Sequence, residues 1–334
     1  MPADRCRRLL VRAPNWLGDA VMSLPAVRAA REQCDELIVM AIPPLAELYD
    51  GIAGASVDSR LPLRRAVAEV RRLAPDAVLL LQNSLYSAMV PRLAGCREIW
   101  GYRKNGRGFL LSRPIPAPPD VYARHQVYYF WDLVRALGWA DGDPALCMDV
   151  RGDSELQPGE CFIGMSPGAH YGEAKRWPPE SFGALGRSLS ERGFRIVLFG
   201  GPSEARNCAA IAAAIGRSCI DLAGRTSVRA LIAGISRCRV FVTNDSGPLH
   251  IASALRVPVV AIFGSTEPRS TGPFNPPSIV LRRDLPCSPC HRRSCPIDHR
   301  CMTRIPPEEV LPEVLSLAGQ SPSISPGSSG WQRC

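Results

Sequence analysis

The sequence predicts an α/β protein of two domains, each a parallel sheet with helices on both faces. Three observations carry that prediction. Short apolar runs alternate with stretches of helical period. The alternation halts at a polar segment, 149–160, which holds Gly152, Pro158 and Gly159, and then restarts. The chain has 334 residues, enough for two domains of about 150 residues each.

The first half opens on Leu9-Leu10-Val11, a buried strand. Val21, Leu24 and Val27 follow on one helical face. Leu37 to Met40 reads as the next strand, 61–73 as a helix, 77–81 as a strand and Glu98-Ile99-Trp100 as a short one. A helical stretch at about 125–137 closes this half. In the second half 161–165 is a buried strand and 179–192 a helix, with Pro179 suited to a first turn. Strands follow at 195–199, 240–242 and 259–263. The expected domains are therefore 1–150 and 160–318, facing one another with a ligand at the carboxyl ends of the strands. The tail at 319–334 is rich in Ser, Gly and Pro and is expected to be disordered.

Composition narrows the partners. Hydrophobic residues make up 46% and charged residues 21%, an ordinary balance for a folded chain, which excludes disorder over most of its length. Lys and Arg number 40 against 31 Asp and Glu, a net charge of +9. That favours anionic partners such as phosphates, nucleic acid or an acidic membrane surface. Only Lys104 and Lys175 are lysine, which draws attention to both. No apolar run reaches the about eighteen residues of a membrane-spanning helix. No secretory signal pattern opens the sequence. The expectation is a cytoplasmic protein whose 13 cysteines are mostly free thiols.

Five motifs could carry chemistry. Pro14-Asn15-Trp16-Leu17-Gly18-Asp19 lies between the first strand and the first helix. Gly18 permits close backbone approach, and Asp19 is either a helix cap or a general base. Ser166-Pro167-Gly168 through Lys175-Arg176-Trp177-Pro178 is a loop of small residues ending in two cations before a helix. It suits a phosphate, although its spacing is not that of a P-loop, and a solvated basic loop is the plainer reading. Thr243-Asn244-Asp245-Ser246-Gly247-Pro248-Leu249-His250 follows another strand. Asp245 or Ser246 could cap the next helix, and the backbone N–H groups there also suit a diphosphate. His250 alone reads as a core histidine. Cys287, Cys290, Cys295 and Cys301, with His291 and His299 between them, allow a zinc site, free thiols or a redox disulfide. Gly101 to Gly108 is a glycine-flanked basic loop with Arg103 and Lys104. It could hold acceptor phosphates or simply be solvated.

These motifs, in this order, resemble glycosyltransferase family 9. The resemblance spans about residues 7–318 and rests on Asn15-Trp16-Leu17-Gly18-Asp19 with Pro25, on Pro167-Gly168 through Lys175-Arg176-Trp177-Pro178, and on Asn244 through His250. The segment Cys287-Ser288-Pro289-Cys290 through Cys295-Pro296 looks like the branch that adds the second heptose. The resemblance implies a GT-B fold of two Rossmann-like domains, the first binding the acceptor and the second the nucleotide sugar. It implies inverting transfer of L-glycero-D-manno-heptose from ADP-heptose to the first heptose of the lipopolysaccharide inner core, with no cofactor and no divalent metal needed. Asp19 takes the place of the base. Lys175, with Arg176, faces the donor phosphate. Asp245, Ser246, Gly247 and His250 form the donor turn, and Glu204 the acid on the ribose. Arg103 and Lys104 are the candidates for acceptor phosphate. The enzyme is expected at the inner face of the inner membrane, where its acceptor is anchored.

Other readings stay open at this stage. Motifs of this kind fix a nucleotide diphosphate better than they fix the sugar, so another nucleotide sugar or acceptor fits. A Rossmann oxidoreductase lacks its G-x-G-x-x-G after the first strand. A zinc-stabilised nucleic-acid-binding protein fits the charge and the cysteines, but no recognisable nucleic-acid module is present, and nucleic acid is not the expected partner.

Overall fold

The computed structural model describes residues 5–157 and 159–320. The chain divides between Leu146 and Cys147 into two compact units. The segment 149–157 carries neither helix nor strand.

The first unit runs β1 (Cys6–Arg12), α1 (Leu17–Met22), α2 (Leu24–Arg31), β2 (Cys34–Ala41), α3 (Pro43–Ala46), β3 (Ala55–Asp58), α4 (Leu63–Leu73), β4 (Ala77–Leu80), α5 (Leu85–Ala94), β5 (Glu98–Tyr102), β6 (Arg113–Ile115) and α6 (Gln126–Ala136). All six strands are parallel, in the order β3-β2-β1-β4-β5-β6. β1 and β4 are buried through Leu9 to Val11 and Ala77 to Leu80 because helices cover both faces. On α4, Ala66 and Val70 face inward while Arg64, Arg65, Arg71 and Arg72 are exposed, the amphipathic pattern that docks a helix on a sheet.

The second unit repeats the plan. It runs β7 (Phe162–Ser166), α7 (Pro179–Ser190), β8 (Arg195–Leu198), α8 (Ala205–Ile215), β9 (Cys219–Asp221), α9 (Val228–Ile235), β10 (Cys238–Asn244), α10 (Gly247–Ala254), β11 (Val259–Ile262), α11 (Pro268–Thr271), β12 (Ser278–Leu281), α12 (Arg300–Thr303) and α13 (Pro307–Gln320). Its parallel order is β12-β11-β10-β7-β8-β9. Counted within the unit, both sheets have the doubly wound Rossmann order, so the α/β class of the GT-B type holds.

In such a sheet the chain reverses its direction of travel between the first and fourth strands. Here those neighbours are β1 with β4 and β7 with β10. Loops leaving adjacent strands at that point diverge to opposite faces and open a crevice for a ligand.

The structure adds elements that the sequence reading did not place, among them β3, α8 and α9, and three further differences stand out. The helical face of Val21, Leu24 and Val27 is buried, but the helix breaks at Ser23, where α2 restarts with Pro25 in its first turn. α5 emerges where no helix was expected. It is capped by Ser84, whose Oγ accepts from the Ser87 N–H, and it carries Pro91 inside. At the carboxyl end α13 continues through Gln320, so the expected tail starts no earlier than 321, and 321–334 lie outside the described residues. Among the described residues no helix is long and apolar enough to cross a membrane.

Candidate functional site

In the second unit the loops after β7 and β10 meet at the switch point. Asn244, the last residue of β10, is fully buried and joins them. Its Nδ2 donates to the carbonyls of Pro167 (2.8 Å) and Gly168 (3.3 Å), and its Oδ1 accepts from the Trp177 N–H at 2.9 Å. Trp177 is itself sealed in the core beside Phe182, with its indole N–H on the Ile305 carbonyl. One amide side chain thus sets the path of the whole 167–177 loop.

That path brings Lys175 to Asp245. Lys175 Nζ donates to Asp245 Oδ2 at 2.5 Å, and the two side chains are only 11% and 5% exposed. The same oxygen accepts from Thr266 Oγ1 at 2.6 Å and Thr271 Oγ1 at 3.1 Å. Three donors on one oxygen fix the carboxylate. Oδ1 makes no hydrogen bond among the described residues. The ammonium also lies 4.7 Å from the centre of the Tyr171 ring. A cation and an acceptor oxygen therefore stand side by side at the switch point.

The other donor candidates surround this pair. Ser246 stands at the N-cap of α10 but makes no capping bond, and its Oγ is 3.1 Å from Thr243 Oγ1. Neither Ser246 nor Asp245 caps the helix through its side chain, so that expectation is corrected. Gly247 opens α10, and His250 is buried within it. Glu204 comes from the turn after β8, where its Oε2 accepts from the Gly201 N–H at 2.8 Å. Its carboxylate fills the space a side chain at Gly168 would need: a Cβ there would lie 1.5 Å from Glu204 Oε1. The loops after β7, β8 and β10 are thereby in one neighbourhood. Arg176 is turned onto its own loop, with Nη2 donating to the Ala169 carbonyl at 3.2 Å.

Cys287, Cys290 and Cys295 are free thiols on the segment between β12 and α12, and Cys301 is a free thiol within α12. Burial above all, with the neighbouring Cys295, Cys290 and Cys287, pushes the Cys301 thiol up to about 11. Among the described residues no group of three or more His, Cys, Asp or Glu is arranged to hold a metal ion. The segment instead braces the Lys175 loop. The Tyr171 hydroxyl donates to the His291 carbonyl at 2.8 Å, and the Ala174 N–H donates to the Arg293 carbonyl at 2.9 Å. His299 Nε2 lies 3.0 Å from the Ala174 carbonyl.

In the first unit Asp19 is in the first turn of α1, half-buried, at the carboxyl end of β1. The N-cap is Trp16, so Asp19 is not the cap that one sequence reading allowed. Below it Arg12 is buried, and its guanidinium donates to the Ala13 carbonyl (2.7 Å), the Met40 carbonyl (3.2 Å) and Asn15 Oδ1 (3.0 Å). Burial lowers the Arg12 pKa to about 10. This buried cation holds the loop that presents Asp19.

Tyr129 of α6 stands beside the basic loop. Burial above all raises the Tyr129 phenol, and the Asp19 carboxylate adds to the shift. The Lys104 ammonium stands 5.8 Å from the centre of the same ring. The Tyr129 hydroxyl accepts from Asn83 Nδ2 at 2.7 Å, and Asn83 Oδ1 accepts from Arg107 Nη2 at 3.1 Å. Arg107 is fully buried and also donates to the carbonyls of Tyr102 and Gln82 and to Ser87 Oγ. It ties the loop after β5 to the loop after β4. Arg103 is exposed beside it.

Sequence reasoning missed Thr266, Thr271, Arg12, Asn83 and Tyr129, and gave Tyr171 and Arg107 no role within their motifs. One signal was available: Gly264-Ser265-Thr266 follows β11 as a run of small polar residues, the same pattern that marked the loop after β10.

The family model for glycosyltransferase family 9 (heptosyltransferase) matches residues 63–300. Lipopolysaccharide heptosyltransferase 2 of Salmonella typhimurium is 28% identical over 348 residues, spanning 94% of this chain and 99% of that one. Lipooligosaccharide heptosyltransferase 2 of Campylobacter jejuni is 26% identical over 321 residues, spanning 93% and 99%. The solved structure of E. coli ADP-heptose lipopolysaccharide heptosyltransferase II matches with a TM-score of 0.80 at 28% identity, covering 94% of this chain and 99% of that chain.

Proposed function

The chain belongs to glycosyltransferase family 9, and from that premise we propose that it transfers L-glycero-D-manno-heptose from ADP-heptose to the first heptose of the lipopolysaccharide inner core, with inversion at the anomeric carbon. It is a heptosyltransferase, and its similarity to second-heptose enzymes runs nearly end to end. The observation that carries the reading is the Lys175–Asp245 pair at the switch point of the second sheet. An ammonium for a phosphate beside a carboxylate oxygen for a hydroxyl is the complement of a sugar bound to a diphosphate.

In this reading Asp19 accepts the proton of the acceptor hydroxyl as its oxygen attacks the anomeric carbon. The bond from that carbon to the diphosphate oxygen breaks, and ADP leaves with the electron pair. Inversion asks for one base on the acceptor face, not for two close carboxylates. Charge grows on the leaving diphosphate, and Lys175 and the backbone N–H groups that open α10 meet it. Asp245 Oδ1 is open to a donor hydroxyl, and Glu204 to the ribose. Ser246, Gly247 and His250 shape the same wall, and Arg176 stiffens its loop.

The first unit takes the acceptor and the second the donor. Arg103 and Lys104 take acceptor phosphate. The net charge of +9 suits an enzyme that works at the anionic cytoplasmic face of the inner membrane.

The test is a mass measurement on the acceptor. Mono-heptosylated Kdo–lipid A incubated with ADP-heptose and the protein should gain the mass of one heptose. An acceptor that stays unmodified with ADP-heptose but gains a sugar from another nucleotide donor would contradict the substrate while keeping the family.

A further inference from the structure

We propose that Arg293, from the cysteine-bearing segment between β12 and α12, is a second cation for the donor's diphosphate. The inference rests on the nucleotide-sugar reading above and adds a residue to it.

Lys175 alone is a poor match for a diphosphate. Its ammonium is already paired with Asp245 at 2.5 Å, so the buried pair is formally neutral. Each phosphate of the donor carries negative charge, and more develops on ADP as it leaves. Efficient transfer therefore calls for a further donor group that is fixed in place beforehand. Arg176 is poorly placed for the task, since two of its nitrogens are directed at the Ala169 carbonyl.

Arg293 has the required properties. Its guanidinium carbon lies 5.2 Å from the centre of the Tyr171 ring, the same ring that has the Lys175 ammonium at 4.7 Å. Two cations on one ring repel each other unless an anion joins them, and among the described residues the one ion pair of Lys175 is with Asp245. The Arg293 side chain is exposed and makes no ion pair among the described residues. Its backbone, by contrast, is fixed. The Arg293 carbonyl accepts from the Ala174 N–H at 2.9 Å, and the chain passes so close to Gly172 that a Cβ there would lie 2.3 Å from that oxygen. The Tyr171 hydroxyl donates to the His291 carbonyl at 2.8 Å and anchors that ring. An anchored backbone under an unpaired guanidinium that shares the Tyr171 ring with Lys175 suits an anion contact. A planar guanidinium can bind two phosphate oxygens at once, which an ammonium cannot do with the same geometry.

The experiment compares ADP and adenosine binding to the full chain as wild type, Arg293→Ala and Arg293→Lys, by calorimetry with competition for the weaker ligand. The expected result is an about 10- to 100-fold weaker ADP affinity in Arg293→Ala, the size of one lost charge-assisted contact. Adenosine affinity should be unchanged, and Arg293→Lys should recover part of the loss. Wild-type ADP affinity in Arg293→Ala would overturn the inference and leave the nucleotide-sugar reading standing. An equal loss for adenosine would also overturn it, because the effect would then come from loop structure and not from phosphate. A wild-type protein that does not bind ADP would overturn the nucleotide-sugar reading, and this inference with it.

Discussion

Lys175 Nζ lies 2.5 Å from Asp245 Oδ2, joining the loop that leaves β7 to the loop that leaves β10 at the switch point of the second sheet. Both side chains are nearly sealed from water, and Thr266 and Thr271 complete the shell around the shared oxygen. The pair holds two loops together, and in the proposed reading it also supplies the charges that a sugar diphosphate needs.

Those roles can be separated. Lys175→Met alone leaves a buried carboxylate without its cation, a change that typically costs about 3–5 kcal/mol. The double variant Lys175→Met with Asp245→Asn removes both charges and should regain most of that stability. It should not regain ADP-heptose binding, which needs the ammonium. Urea unfolding and donor titration of the three proteins check this, and donor affinity that returned with stability would contradict it.

Asn244 predicts a purely structural effect. Asn244→Ala leaves the Trp177 N–H and the Pro167 carbonyl without their partner, at about 1–3 kcal/mol for each buried group left unpaired. The melting temperature should fall, and ADP should restore part of it by binding the native state. A variant as stable as wild type would show that the loop is held by other means.

Much of this was legible in the sequence, and the reason is topological. In a parallel sheet the loops that follow strands carry the site, so Asp19, Lys175 and Asp245 could be found from their positions after apolar runs and before helices. The partners that fix them could not. Thr266 and Thr271 reach Asp245 only through the connections from β10 to β11 and beyond. Arg293 meets Tyr171 across 122 positions of sequence because the segment after β12 folds back on the β7 loop. Spacing along the chain does not encode such register. Among the elements that escaped notice, two kinds have a plain cause. β3, β6, β9 and β12 are three or four residues long and too short for a clear period. α5 carries Pro91 in its last turns, a residue that usually marks a helix boundary.

Alkaline pH should destabilise the protein. Burial above all pushes the Cys208 and Cys219 thiols up to about 12 from the ordinary 9.0, and burial likewise raises the phenols of Tyr49 and Tyr102. The folded state holds these protons after the unfolded chain has released them. The stability they contribute is thus full below pH 9.0 and is lost as pH rises towards about 12. Denaturation midpoints should be level up to about pH 8 and fall beyond about 9. Cys208→Ala should make that fall shallower by one proton's slope, whatever its effect on the level. An unchanged slope would contradict the assignment to Cys208.

The central claim is that Asp19 is the base of a heptosyl transfer. It is tested most directly by acceptor-dependent ADP release from ADP-heptose, with mono-heptosylated Kdo–lipid A as acceptor, for wild type and Asp19→Asn. The account predicts release by wild type, a loss of about 100-fold or more in the variant, and unchanged ADP-heptose affinity. Undiminished release by Asp19→Asn would contradict the assignment of the base, and no release by wild type would contradict the reaction itself.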